Sequence, residues 1–260
     1  MFFAPKGKYS ACGMFSAEHI IALVVCIALI ILALYFSRHI TADELRKVCV
    51  VFAVFFTVTE IIKIFYHLYW GYYNIDSWFP LSFCGLFIYA LWICGFGKGV
   101  VREAAQSYIT CGAFFAGLAF LVIPATSLMS FPIFHYQCVY SLIFHSTMVY
   151  MSVMFMKNKV VKFNLRHLKL FMLYYGFFAV IALIMNFIFD SNLMLIMNPY
   201  NIPFKFFYDI RDFSLIAYIT FVSVGYTVIN FAGTSVINLL VGEAYKKVEC
   251  EPETSTVLTE

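Results

Sequence analysis

Seven long apolar stretches run through this chain, at roughly 17–37, 47–68, 79–96, 105–128, 134–156, 168–189 and 213–238. A helix needs about 20 consecutive apolar residues to cross a bilayer, and each stretch is of that order. The runs are continuous. A transmembrane β-barrel would instead alternate over segments of about ten residues. Backbone groups in lipid must find partners within the chain, so continuous apolar runs of this length are expected to be helices. The expected fold is therefore all-α, a polytopic membrane helical bundle with seven transmembrane helices. The composition agrees: 63% of residues are hydrophobic and 12% are charged, where a soluble domain carries about 25% charged residues. A soluble globular domain, a disordered chain and a nucleic-acid binder are excluded on that ground. Membrane lipids are the expected partners and the cell membrane the expected location.

The eight cysteines are scattered, with no CxxC pair, which argues against a disulfide scaffold. The first stretch is too long for a signal-peptide core. Phe36-Ser37-Arg38-His39 follows it, with no small-residue cleavage site. The expected organisation is one transmembrane domain over 1–242 and a short polar cytoplasmic tail over 243–260.

Charge gives the orientation. Twelve of the seventeen lysines and arginines fall in alternate loops and the tail: Arg38, Arg46 and Lys47; Lys98 and Arg102; Lys157, Lys159, Lys162, Arg166 and Lys169; Lys246 and Lys247. Lys6, Lys8, Lys205 and Arg211 lie on the other side, and Lys63 lies inside the second stretch. Cytoplasmic loops are the basic ones, so the N-terminus is expected outside and the C-terminus in the cytoplasm. Trp70, Trp78, Tyr69, Tyr72 and Tyr73 then form an outer aromatic belt.

Ionisable groups inside a bilayer are costly, and they line cavities or form pairs. Glu60, Lys63 and His67 fall at i, i+3 and i+7 on one face of the second helix, where Glu60 and Lys63 form an expected structural pair. Ser82 and Cys84 lie near the start of the third stretch, with Pro80 suited to its first helical turn. His135, Cys138 and His145 share a face of the fifth helix, and Asn186, Asp190 and Asn192 lie near the end of the sixth. With the expected topology these residues gather in the outer half, and His145 lies about 16 Å deep. That segregation predicts a polar cavity open towards the outer leaflet. In the fourth stretch Gly112, Ala113, Ala116 and Gly117 make two small-xxx-small pairs, the pattern of close helix packing.

Three classes of function fit: a membrane enzyme with a Cys/His centre, a transporter or small-molecule-binding subunit, and a structural or sensory bundle. A retinal protein is excluded because the seventh stretch has no lysine for a Schiff base. A carbonyl-filter channel lacks its motif. Neither an inverted repeat nor a pair of broken helices, as in many secondary transporters, is visible. No HxxxH or HExxH occurs, so neither a metal nor any other cofactor is expected.

Three separated motifs carry a family resemblance. Trp78-Phe79-Pro80-Leu81-Ser82-Phe83-Cys84 resembles the "PLHLC" signature of the YwaF family of bacterial integral membrane proteins. Phe131-Pro132-Ile133-Phe134 with Ile143-Phe144-His145-Ser146 resembles that family's "FPHF…ISHG", and Asn186 with Asn192-Leu193-Met194 and Pro199 or Pro203 resembles its "N…NYM…P". The likeness covers about 78 to 203. The family is related to eukaryotic transmembrane protein 164, an acyltransferase that remodels phospholipids. More distantly it is similar to the androgen-induced membrane hydrolases of fatty-acid esters. The departures are Ser82, where the signature has histidine, Leu193 for tyrosine, and His135 for arginine.

The resemblance implies a lipid acyltransferase or acyl-ester hydrolase facing the outer leaflet, with Cys84 as nucleophile and His145 as its histidine. Ser82, Glu60, Lys63, His135, Asn186 and Asn192 would then bind substrate or stabilise charge. With histidine absent at 82, the bases within reach are His145, His135 or His67. Cys84 would lie about 9 Å below the surface and His145 about 7 Å deeper. The alternative is a non-enzymatic protein that binds or moves a small lipophilic ligand through the same cavity.

Overall fold

The computed structural model describes residues 1–200 and 202–239. The tail expected at 243–260, with Lys246 and Lys247, lies outside the described residues. Within them the chain is helical and has no strand. Helix α1 spans Ala17–Phe36, α2 Ala42–Tyr69, α3 Ile75–Trp78, α4 Leu86–Phe96 and α5 Gly99–Ser107. A π turn, Tyr108–Gly112, leads from α5 into α6, Ala113–Val122. Helices α7, Tyr136–Lys157, and α8, Leu165–Phe189, precede α9, Lys205–Phe213, and α10, Leu215–Val224. A second π turn, Gly225–Ile229, carries the last helical segment on to Leu239.

Local chemistry places the ends. Ser16, Thr41, Asn164 and Ser214 each cap a helix by accepting a backbone N–H. Thr41 and Glu44 form a reciprocal capping box. Pro124 falls just after α6 rather than within it, where its missing N–H costs no helical bond.

Among the described residues, six helical segments are long and apolar enough to cross a membrane: Ala17–Phe36, Ala42–Tyr69, Gly99–Val122, Tyr136–Lys157, Leu165–Phe189 and Leu215–Leu239. The chain is an integral, multi-pass membrane protein. The stretch at 79–96 differs from the full-length helix expected there. Only Leu86–Phe96, eleven residues, is helical, about 16 Å at 1.5 Å per residue and half a hydrocarbon core. Phe79–Gly85 is irregular, and the helix starts six residues after Pro80 rather than at it. Tyrosine hydroxyls bond one carbonyl of the irregular segment and one in the first turn of α4. Tyr108 Oη donates to Phe83 O at 2.6 Å, and Tyr174 Oη donates to Leu86 O at 2.8 Å. Irregular backbone at membrane depth is tolerated only with such cover.

Helix α7 is the axis of the bundle. One face meets α2 and α4 through Phe144, against Phe56 and Phe87, and α2 through Tyr140, against Glu60. The other packs on α1 and α6 through Cys138, Leu142 and Val149. Helix α4 also packs on α2 and α5, and α5 on α8. The expected close packing of the fourth stretch is present. A Cβ on Gly117 would lie 2.7 Å from His145 O, and one on Gly112 would lie 2.9 Å from Phe171.

Residues 1–16 fold across the near ends of α2 and α7. Tyr66 Oη donates to Ala4 O, Trp70 Nε1 to Phe3 O, and the Tyr136 amide to Phe2 O. The Cys12 amide donates to Phe131 O. We refer to this as the capped end, and to the opposite one as the basic end.

Candidate functional site

Cys84 sits in the turn that precedes α4. The turn is tied by Ser82, whose exposed Oγ accepts from the Gly85 amide at 2.9 Å, and by the Leu86 amide donating to Ser82 O. Cys84 is half-buried as a residue. Phe83, beside it, stacks on Tyr226 with centroids 4.1 Å apart and planes 6° from parallel. The Cys84 amide faces its own sulfur. The Phe83 amide takes no hydrogen bond among the described residues. A half-buried cysteine and an amide without a hydrogen bond therefore adjoin in the chain just before the positive end of a short helix.

His145 is elsewhere. Its Nδ1 lies 2.7 Å from Ser141 O. A carbonyl only accepts, so Nδ1 carries the proton and Nε2 the lone pair. The ring lies flat on Phe120 of α6, on the α7 face shared by Cys138, Leu142 and Val149. Cys84 packs against the other cluster. The expected Cys84–His145 pair is therefore not assembled. Residue 144, not 145, points towards α2 and α4, where Phe144 meets Phe56 and Phe87.

Glu60 and Lys63 do meet as an ion pair, one turn apart on α2. Tyr140 Oη donates to the other Glu60 oxygen at 2.5 Å. Glu60 is buried and Lys63 is more open. A cavity of about 200 Å³ lies between α2 and α4, lined by Thr57, Glu60, Ile64, Pro80, Tyr89 and Trp92 among others. It is mostly apolar, with Glu60 its charged group, so it is narrower and drier than the polar cavity expected.

The other expected ligands are spent on the chain itself. His135 caps α7: its Nδ1 accepts from the Gln137 amide and its Nε2 donates to Ala4 O at 3.0 Å. Burial pushes its pKa down. His67 Nε2 lies 3.0 Å from Gln137 Nε2. The N-terminal segment holds the His135 ring through Ala4 O. Asn186 Oδ1 accepts from the Leu193 amide and from Ser191 Oγ, and its Nδ2 donates to Leu193 O. Asn192 Oδ1 accepts from the Met197 and Asn198 amides, and its own amide donates to Asp76 Oδ1 at 2.8 Å. Burial pushes the Asp76 carboxyl up, and that amide opposes the shift. The two asparagines build the 190–198 loop, which contains Asp190 and Met194 at positive φ.

Sequence reasoning missed the tyrosines. Tyr108, Tyr174 and Tyr226 hold carbonyls around the Cys84 turn and its neighbouring loop, and Tyr140 serves Glu60. Their polar tips are invisible in a hydropathy profile that scores them as aromatic. No three His, Cys, Asp or Glu side chains among the described residues are placed to hold a metal ion.

A model of the TMEM164 family matches residues 14–221. No curated protein matches the chain, and no solved structure does.

Proposed function

The chain belongs to the TMEM164 family, and from that premise we propose that it is a membrane-embedded lipid acyltransferase or acyl-ester hydrolase whose nucleophile is Cys84. One observation carries the proposal: a half-buried cysteine in the turn just before a half-length helix, next in the chain to the unpaired Phe83 amide. A helix N-terminus favours the thiolate. The same end, with an unpaired N–H, favours the oxyanion of an acyl-transfer intermediate. The resemblance of residues 78–84 to the YwaF signature points to the same cysteine.

The reaction divides into two steps. Cys84 Sγ attacks the ester carbonyl of a phospholipid, the C–O bond to the glycerol oxygen breaks, and an S–C bond forms. The thiol proton ends on the departing lysolipid oxygen. A lysolipid hydroxyl or water then attacks the thioester. It yields a new ester or a free fatty acid, and its proton returns to sulfur. The chemistry is assigned to Cys84 without His145, whose ring is turned into the α6 interface. The charge asymmetry of the loops supports placing the N-terminus outside and the C-terminus in the cytoplasm of a cell-membrane protein. The irregular 79–85 segment together with α4 then makes the seventh crossing.

The test is acyl turnover by purified protein in mixed micelles, with a labelled diacyl phospholipid and a lysophospholipid acceptor. Wild type, Cys84→Ala and His145→Asn are compared, with folding checked by thermal midpoint. We expect turnover in wild type and His145→Asn and none in Cys84→Ala. Equal turnover in Cys84→Ala removes the nucleophile. Loss in His145→Asn at an unchanged midpoint restores the Cys/His centre. No turnover across several lipid classes favours the second reading, a binder or transporter of a small lipophilic ligand. That reading rests on the cavity between α2 and α4, and it predicts dependence on Glu60 and Lys63 rather than Cys84.

A further inference from the structure

A second cavity lies at the basic end, between the first turns of α2 and the last turn of α4. It measures about 480 Å³ and is lined by Asp43, Arg46, Lys47, Val50, Gly95 and Phe96, a size within the usual range for small-ligand sites. Its cationic wall is built. Arg46 Nε donates to Gly95 O at 2.6 Å, which fixes the plane of the guanidinium. The remaining guanidinium N–H groups have no partner among the described residues. Lys47 is exposed and forms no ion pair among them. Close packing sets the floor: a Cβ on Gly95 would lie 2.6 Å from Val50 Cγ2, so α2 and α4 touch there. The wall facing the bilayer is apolar, with Phe96 61% exposed and stacked on Trp92.

We propose that this cavity binds the headgroup of an anionic phospholipid from the leaflet at the basic end. The arginine fork suits two phosphate oxygens. Lys47 adds a second positive charge, and the acyl chains would lie along Val50 and Phe96. Asp43 is the acidic member of the lining, because Glu44 is engaged in the Thr41 cap. A carboxylate beside a phosphate is tolerated when a donor stands between them, so the ligand carries a headgroup hydroxyl, as phosphatidylglycerol does. Free phosphate shares the charge but offers neither the chains nor the hydroxyl.

Trp92 is the reporter. In full-length protein with Trp70→Phe and Trp78→Phe, its quenching by acyl-brominated phosphatidylglycerol is compared with quenching by the brominated phosphatidylcholine. We expect a preference for phosphatidylglycerol. Lys47→Gln, which leaves the Arg46–Gly95 bond intact, should reduce it about fivefold, the worth of about 1 kcal/mol for one cation near a membrane surface. Arg46→Gln should reduce it further. Lys162→Gln with Lys169→Gln, which removes two charges elsewhere at the same end, should leave it unchanged. Equal quenching by the two lipids overturns the proposal, as does an equal loss in the Lys162/Lys169 variant. Suppression of the preference by inorganic phosphate at constant ionic strength would also overturn it, in favour of a free-anion site.

Discussion

His145 lies face to face with Phe120, ring centroids 3.8 Å apart and planes 9° from parallel, so its imidazole works as part of the α6–α7 interface. Such a stack is worth on the order of 1 kcal/mol beyond simple packing. His145→Ala should lower the thermal midpoint in detergent, whereas His145→Phe, which can keep the stack, should stay near wild type. An unchanged midpoint in His145→Ala would refute the packing role.

Tyr140 and Lys63 both serve the buried Glu60 carboxylate. Tyr140→Phe leaves one oxygen without its donor, at a cost of about 1–3 kcal/mol. Lys63→Met leaves the charge without its counter-ion, so the two losses should be non-additive in a double-mutant cycle. Additive effects on the unfolding midpoint would mean that the two groups do not share Glu60.

Gly117 lets α6 approach the backbone of α7 at His145. Gly117→Val must push against His145 O and Val149, and overpacking of this kind costs about 1–3 kcal/mol. Val122→Ala, on the exposed side of the same helix, should be near neutral. Thermal midpoints of the two variants in one detergent decide the matter.

The N-terminal cap should loosen in acid. His135 holds Ala4 O with Nε2–H and accepts the Gln137 amide at Nδ1, and protonating Nδ1 destroys the second bond. Burial pushes the folded-state pKa below the ordinary 6.5. Below pH 6.5 the undocked state therefore binds more protons than the docked one, and docking weakens as pH falls towards the folded value. Above pH 6.5 the contribution is fully present. The protection of residues 2–13 against hydrogen exchange, with the intrinsic pH dependence divided out, should fall between pH 7.5 and pH 5, and His135→Gln should flatten that slope. Equal slopes in the two proteins would assign the effect to another group.

The membrane class, the apolar helices, the Glu60–Lys63 pair and the small-residue contact at Gly117 all follow from local spacing. Hydropathy depends on composition over about twenty residues, and i, i+3 neighbours meet on any helix. What the tertiary structure alone decided is how each helix is rotated and where its backbone leaves the regular path. Nothing local to residues 79–96 reveals that Tyr108, distant in sequence, will cover a carbonyl of the broken segment, or that Tyr174 will bond the first turn of α4. Nothing local to 131–146 reveals that Phe144 turns towards Phe87 while His145 turns away to Phe120. Successive residues of a helix point about 100° apart. Which of two neighbours enters a site is therefore fixed by packing against other helices, a long-range balance that the apolar pattern of one segment does not encode.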